Sequence, residues 1–190
     1  MALPVTRSLS MDEFEAFIAR PENRDRQLEL IDGQIVEKAM PTDEHALIVG
    51  IFLSELYLIA RKLGIGLPGP EHRFRPPDNQ RQSRLPDISM ILDPEVPITT
   101  QGQTARVPDV IVEVKSPDDT FDEMRRKATF YIENGCKLVY LVFPRPQIVE
   151  VYRPNVPSEM LTAADSLSGY EVLPGFDLPV ARLFPAKRSG

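Results

Sequence analysis

The sequence predicts an α/β protein, a mixed β-sheet flanked by helices, and three observations carry that prediction. Val110, Ile111, Val112 and Val114 form a run almost wholly of β-branched residues, the composition of a strand buried on both faces. A helical stretch and a second apolar strand at residues 138–143 follow it. Strand, helix, strand at this spacing implies a right-handed parallel crossover. Elsewhere, short strand patterns are joined by tight-turn signals, which add antiparallel partners to the sheet.

The elements follow in order. Ser10 with Glu13 three residues later is a capping-box pattern, opening a helix to about Ala19 with Phe14, Phe17 and Ile18 on its buried side. Residues 28–36 read as a hairpin about Asp32-Gly33. A long helix starts at Asp43 or Glu44, carries Leu47, Ile48, Ile51, Phe52, Leu56, Ile59 and Leu63 at helical spacing, and is closed by Gly64. Pro68, Pro70, Pro76 and Pro77 keep residues 67–84 from being a regular interior element, although Phe74 can belong to a short strand. A strand at 88–92 leads into a loop over 93–106, and residues 116–119 turn into a helix that Gly135 stops. Pro144-Arg-Pro-Gln147 turns the strand 138–143 into an antiparallel strand at 148–152. The tail reads as short edge strands at 161–167 and 170–173 with a closing segment at 178–184. With no repeat and no linker, residues 1–190 are expected to form a single domain.

Composition narrows the class. No apolar run approaches the roughly 20 residues of a membrane span, and the first ten residues lack the basic start and apolar core of a secretory signal. Cys136 is the single cysteine, which excludes an internal disulfide and a thiolate zinc site. A cytoplasmic protein is the expectation. The net charge of −6 argues against promiscuous nucleic-acid binding. Charge is nevertheless unevenly spread: Arg73, Arg75, Arg81 and Arg84 precede Asp87, and Arg125, Arg126 and Lys127 follow Glu113. Basic segments beside acidic metal ligands suit a phosphodiester, and solvated surface charge is the plainer explanation of each.

The chemistry centres on Asp87, Glu113 and Lys115. Glu113 and Lys115 interrupt the apolar run and, two residues apart, share a strand face at roughly 6–7 Å. Buried there, they need partners or a cleft. Asp87 opens the other apolar strand. Asp109 has the parity of Glu113, but four residues separate them by roughly 13 Å, too far for one metal ion. Asp87 is therefore the acid expected beside Glu113, and Asp109 a strand-start residue. Two carboxylates holding Mg²⁺ or Mn²⁺ supply a Lewis acid and an activated water, and Lys115 would assist the water or stabilise developing charge. The competing interpretation is a structural Glu113–Lys115 ion pair at a sheet edge.

Pro86-Asp87 with Glu113-Val114-Lys115 resembles the PD-(D/E)XK nuclease signature. The ordered set Leu28-Glu-Leu-Ile-Asp-Gly-Gln-Ile-Val36, Met40-Pro-Thr-Asp-Glu-His45, Pro86-Asp-Ile-Ser89, Pro108-Asp-Val-Ile-Val-Glu-Val-Lys-Ser-Pro117 and Leu173-Pro-Gly-Phe-Asp-Leu-Pro179 is similar to the Uma-two family of that superfamily. The resemblance implies a restriction-endonuclease-like fold and a Mg²⁺-dependent endonuclease acting on DNA, with a homodimer as the assembly. It adds Glu29 as a third metal ligand, with Glu37 in reserve and a solvent-facing strand residue as the alternative. It also makes His45 a candidate neighbour of the site, against a cap or packing role. Lys127 is open between a phosphate contact and exposed surface charge. Two other classes stay in view: a catalytically weak nucleic-acid or protein interaction module on the same fold, and a hydrolase of another phosphoester.

Overall fold

A computed structural model describes residues 8–184. The reading of the first residues as no secretory signal rests largely on residues 1–7, outside that range. The described residues fall into two compact units, one formed by residues up to 38 with 73–85 and 99–106, the other by the remainder.

In the first unit, helix α1 (Met11–Ile18) starts at the expected capping box: Glu13 N–H donates to the Ser10 side chain, and Ser10 N–H to the Glu13 carboxylate at 2.9 Å. Strands β1 (Leu28–Ile31) and β2 (Gln34–Glu37) form the expected hairpin. Asp32 and Gly33 have φ of 52° and 80°, the left-handed pair that a tight turn of this hand requires. Met11, Phe14, Leu28 and Leu30 make a small core, with Phe17 and Ile18 packed against it.

The arginines of this unit serve the unit itself. Arg73 donates to Leu28 O at 2.6 Å and lies over the Phe14 ring, and burial lowers its pKa while Glu29 opposes that. Arg81 donates to Asp32 O, Arg75 to Pro77 O, and Arg84 is buried. Arg73 and Arg81 each spend one guanidinium nitrogen on a backbone carbonyl of their own unit.

The second unit holds a six-stranded sheet in the order β3-β4-β5-β6-β7-β8. These are β3 (Gly69–Pro70), β4 (Ile88–Met90), β5 (Val110–Val114), β6 (Leu138–Phe143), β7 (Ile148–Tyr152) and β8 (Glu159–Thr162). β5 and β6 are parallel and every other neighbouring pair is antiparallel, so the sheet is mixed as expected. Helix α2 (Asp43–Leu63) buries Ile48, Phe52, Leu56 and Ile59 with Val110, Val112, Val114, Leu138, Tyr140 and Val142 in one core. Thr42 caps its start, and Gly64 at φ 67° ends it. Helix α3 (Phe121–Glu133) reaches the alternate residues of the sheet: Tyr131 bonds Glu113 and Arg125 bonds Glu150.

Two expectations change in this unit. The α3 start moves from residues 116–119 to Thr120, because Thr120 with Glu123 makes a full capping box that the earlier Ser116 turn does not. The segment 170–173 is a turn; Tyr170 has φ 51°, which a strand cannot take. The antiparallel pair instead joins β9 (Ser166–Ser168) and β10 (Asp177–Pro179), before a 3₁₀ turn at Val180–Leu183.

The cap of α3 matters because that helix carries Lys127 and Tyr131. Replacing Thr120 by alanine removes the acceptor for Glu123 N–H and should cost about 1 kcal/mol. In a chain of this size that lowers the melting midpoint by roughly 2–4 °C. The same Thr120 side chain and backbone hold the Glu123 carboxyl below the usual glutamate range. Its folded pKa being depressed, Glu123 contributes stability at neutral pH that is lost as acidification protonates it. Calorimetric melting of wild type and Thr120→Ala at pH 7 and pH 3 checks both; equal midpoints at pH 7 would contradict the assignment.

Candidate active site

The site is built on the β4–β5 pair. Their register sets Ile88 opposite Val112, and carrying it on by one residue brings Asp87 level with Glu113. Cross-strand neighbours at such a position stand about 5 Å apart between Cβ atoms. The Asp87 carboxylate holds the end of the facing strand: Val114 N–H donates to its Oδ2 at 2.7 Å. The sequence thus places two acids where two strands end together, at 5% and 2% exposure, far below what acids show without a compensating environment.

Each acid is oriented from outside the pair. His45, one turn into α2 and buried, brings Nε2 to 3.1 Å from Asp87 Oδ2. Tyr131 OH donates to Glu113 Oε1 at 2.6 Å, and Lys127 Nζ stands 3.9 Å from the same oxygen. Lys127 is therefore a mostly covered cation beside the acid, with 16% of its side chain exposed, which corrects the reading of it as exposed surface charge.

Lys115 sits just past β5, its N–H still donating to Val142 O at 2.9 Å. Its ammonium turns along the chain and donates to Ser116 O at 2.9 Å. The Glu113–Lys115 salt bridge is thus not the arrangement found, and Lys127 of α3 stands next to Glu113 instead. Asp109 is where the spacing put it, immediately before β5. It accepts from Leu92 N–H at 2.9 Å and pairs with Lys137 at 2.9 Å.

Glu29 and Glu37 belong to the first unit. Glu29 is 1% exposed and accepts Leu85 N–H at 2.8 Å, so it is not a solvent-facing strand residue. Glu37 is half-exposed and held by Arg26 through a 2.7 Å ion pair, which keeps its carboxyl below the usual range. The reserve candidate is a surface pair.

Uma2, a family model described as "Putative restriction endonuclease", matches residues 11–181. The chain belongs to the Uma2 family. Among solved structures it is similar to a crystal structure described as a putative nuclease belonging to DUF820 from Anabaena variabilis. The two share 24% identity and a TM-score of 0.78 over 93% of this chain and 97% of the other. At that identity the likeness establishes the nuclease-like fold alone. No curated protein matches.

Two features of this Uma2 chain lie beyond what its sequence singled out. Tyr131 figures in the sequence only as a helical residue four after Lys127, yet a buried tyrosine requires a partner for its hydroxyl, and an acid on the facing strand supplies one. The second is a groove of about 770 Å³ beside Lys115, walled by Pro117, Phe121, Pro144 and Pro146. The basic segment of α3 divides: Arg125 is tied to Glu150, at 2.6 Å, and only Lys127 turns to the acids. Cys136 is buried, and burial pushes its thiol up to about 12, so it carries no thiolate chemistry. No described helix is long and apolar enough to cross a membrane.

Proposed function

We propose that this chain is a metal-dependent endonuclease that hydrolyses DNA phosphodiesters, with Mg²⁺ or Mn²⁺ held by Asp87 and Glu113. The observation that carries the reading is the facing of these two buried acids at the end of β4 and β5, each oriented by its own hydrogen-bond donor. Among the described residues, no three His, Cys, Asp or Glu side chains are gathered as an all-protein metal cage would need. Mg²⁺ is characteristically held through one or two carboxylates, water and the phosphates of the substrate, so Asp87 and Glu113 would be a sufficient protein donor set. The donor set, two carboxylates with no thiolate, is the hard-oxygen kind such a cation takes.

When bound, the metal supplies a Lewis acid to the phosphate oxygens and lowers the pKa of a coordinated water. The chain's own residues do the rest. His45 and Val114 N–H fix the Asp87 carboxylate, and Tyr131 fixes that of Glu113, a supporting role whose loss usually costs 10- to 100-fold. Lys127 offsets the charge of Glu113. Lys115, two residues after Glu113, lines a groove, and its ammonium would serve a phosphate oxygen or the attacking water once it leaves the Ser116 carbonyl.

The family resemblance assigns a metal-binding role to Glu29 as well. Glu29→Gln keeps an acceptor for Leu85 N–H, so it separates charge from hydrogen bonding. Metal affinity reduced tenfold or more would assign the role; unchanged affinity would leave Glu29 a structural acid. A homodimer in the cytoplasm remains part of the proposal from the resemblance and the composition.

A second reading, a catalytically weak interaction module, draws support from the Lys115 ammonium being turned onto its own loop. Plasmid DNA, single-stranded DNA, RNA and a small phosphodiester, each incubated with Mg²⁺ and with EDTA, decide between the readings. Cleavage of DNA only when metal is present is the expected result. Cleavage of the small phosphodiester alone would move the activity to another phosphoester, and no cleavage of any would favour the interaction module.

A further inference from the structure

We propose that the groove beside Lys115 receives an unpaired nucleotide of the strand to be cut, with Phe121 as its stacking platform. The proposal rests on the nuclease reading above and narrows its substrate class to DNA with a single-stranded or frayed segment.

Phe121 is the first residue of α3 and 41% exposed, unusual for a large aromatic side chain on a well-packed helix. It is not loose. One face of its ring lies flat on the buried Phe143, with centroids 4.7 Å apart and planes 9° from parallel. A rigid, half-covered ring is what a base needs to stack on, because the side chain loses little freedom when it binds. Lys115 Nζ and Arg125 Cζ stand over the same ring at 5.9 and 5.8 Å, so a base stacking there would also meet these cations, and Arg145 lines the groove. The proline walls are apolar and cannot compete for hydrogen bonds, while Lys115 and Arg145 suit the phosphates on either side of a base. The volume of about 770 Å³ lies within the range that takes a small organic ligand.

Charge points the same way. At a net charge of −6, and with Arg73, Arg81 and Arg125 engaged within the protein, a broad basic surface cannot supply most of the affinity for a duplex. Stacking is less dependent on charge, and every base has a face to offer. In a closed duplex those faces are covered by neighbouring pairs, so only an unpaired or extruded base can use Phe121. Glu44 also lines the groove and opposes a continuous phosphate track, which favours a single nucleotide over a long bound strand.

The test is binding without metal, so that no cleavage occurs. Fluorescence anisotropy would compare a single-stranded oligodeoxynucleotide, its blunt duplex and the matching oligoribonucleotide on wild type, Phe121→Leu and Phe121→Tyr. A 2-aminopurine base in the single strand reports stacking directly by its quenching. Leucine keeps an apolar contact with Phe143 but has no π-face, and tyrosine keeps both, so a folding defect and a stacking defect are separable by melting each variant. We expect wild type to bind the single strand more tightly than the duplex and to quench the probe. Phe121→Leu should weaken single-strand binding about tenfold or more and abolish quenching, whereas Phe121→Tyr should retain both. Equal loss for duplex and single strand, or none for either, would overturn the platform while leaving the nuclease reading intact. Wild type binding neither DNA, with no metal-dependent cleavage, would overturn both. Quenching with RNA alone would overturn the DNA assignment and move the substrate to RNA.

Discussion

Glu113→Gln should lower metal-dependent DNA cleavage by about a thousandfold or more, with little change in folding. Glutamine keeps an oxygen that accepts the Tyr131 hydroxyl now bonded at 2.6 Å, so the buried donor is not stranded and α3 stays seated. What disappears is the negative charge, and with it the proposed metal ligand; a bound metal would contribute several kcal/mol of transition-state stabilisation, each 1.36 kcal/mol being tenfold in rate. Alanine at the same position removes the acceptor as well and should add a loss of stability of roughly 1–3 kcal/mol. A single-turnover cleavage assay beside a melting curve separates the two effects. A glutamine variant cutting within a few-fold of wild type would remove Glu113 from the chemistry.

Phe52→Ala should be among the most destabilising single changes in the sheet unit. Phe52 is fully buried on the inner face of α2, its ring 5.2 Å from Tyr140 and 6.3 Å from Phe176. Truncation removes the transfer free energy of the ring and leaves a cavity that rigid strands β5 and β6 cannot close. The expected cost is about 3–5 kcal/mol, a drop in melting midpoint of roughly 10 °C for a chain of this size. Phe52→Leu, which conserves more volume, should cost far less. A loss below 1 kcal/mol for the alanine variant, read by urea titration, would mean that α2 is not the packing element it is taken for.

The fold was legible wherever local chemistry and tertiary structure agree. The β-branched run of β5, the Asp32-Gly33 turn, the Ser10 box and the Gly64 stop each encode their own geometry within a few residues. The parallel crossover through α3 follows from chain length alone. The tail was harder, because residues 170–173 have strand-like composition while Tyr170 takes a left-handed φ that only the surrounding packing selects. In the site, alternation along β5 put Glu113 and Lys115 on one face, at a metal site or as an ion pair, and alternation says no more than that. Lys115 lies beyond the last strand residue, where the backbone turns and parity no longer governs direction. Lys127 and Tyr131 come from α3, and nothing in a one-dimensional pattern says which helix face will meet which strand residue. His45 was visible as a residue at a helix start but not as a partner of Asp87, forty-two positions away. In the arginine segment, Arg73 and Arg81 each bond a backbone carbonyl of their own unit, a tertiary contact that a basic run does not announce.

The central claim is that Asp87 and Glu113 hold one divalent cation. Titration calorimetry of Mg²⁺ and Mn²⁺ into wild type, Asp87→Asn and Glu113→Gln tests it without requiring a substrate. The account predicts one site in wild type and loss of binding in each variant, with melting curves close to wild type. Binding that survives both substitutions unchanged would contradict it, and would leave these two buried acids as structural partners of His45 and Tyr131.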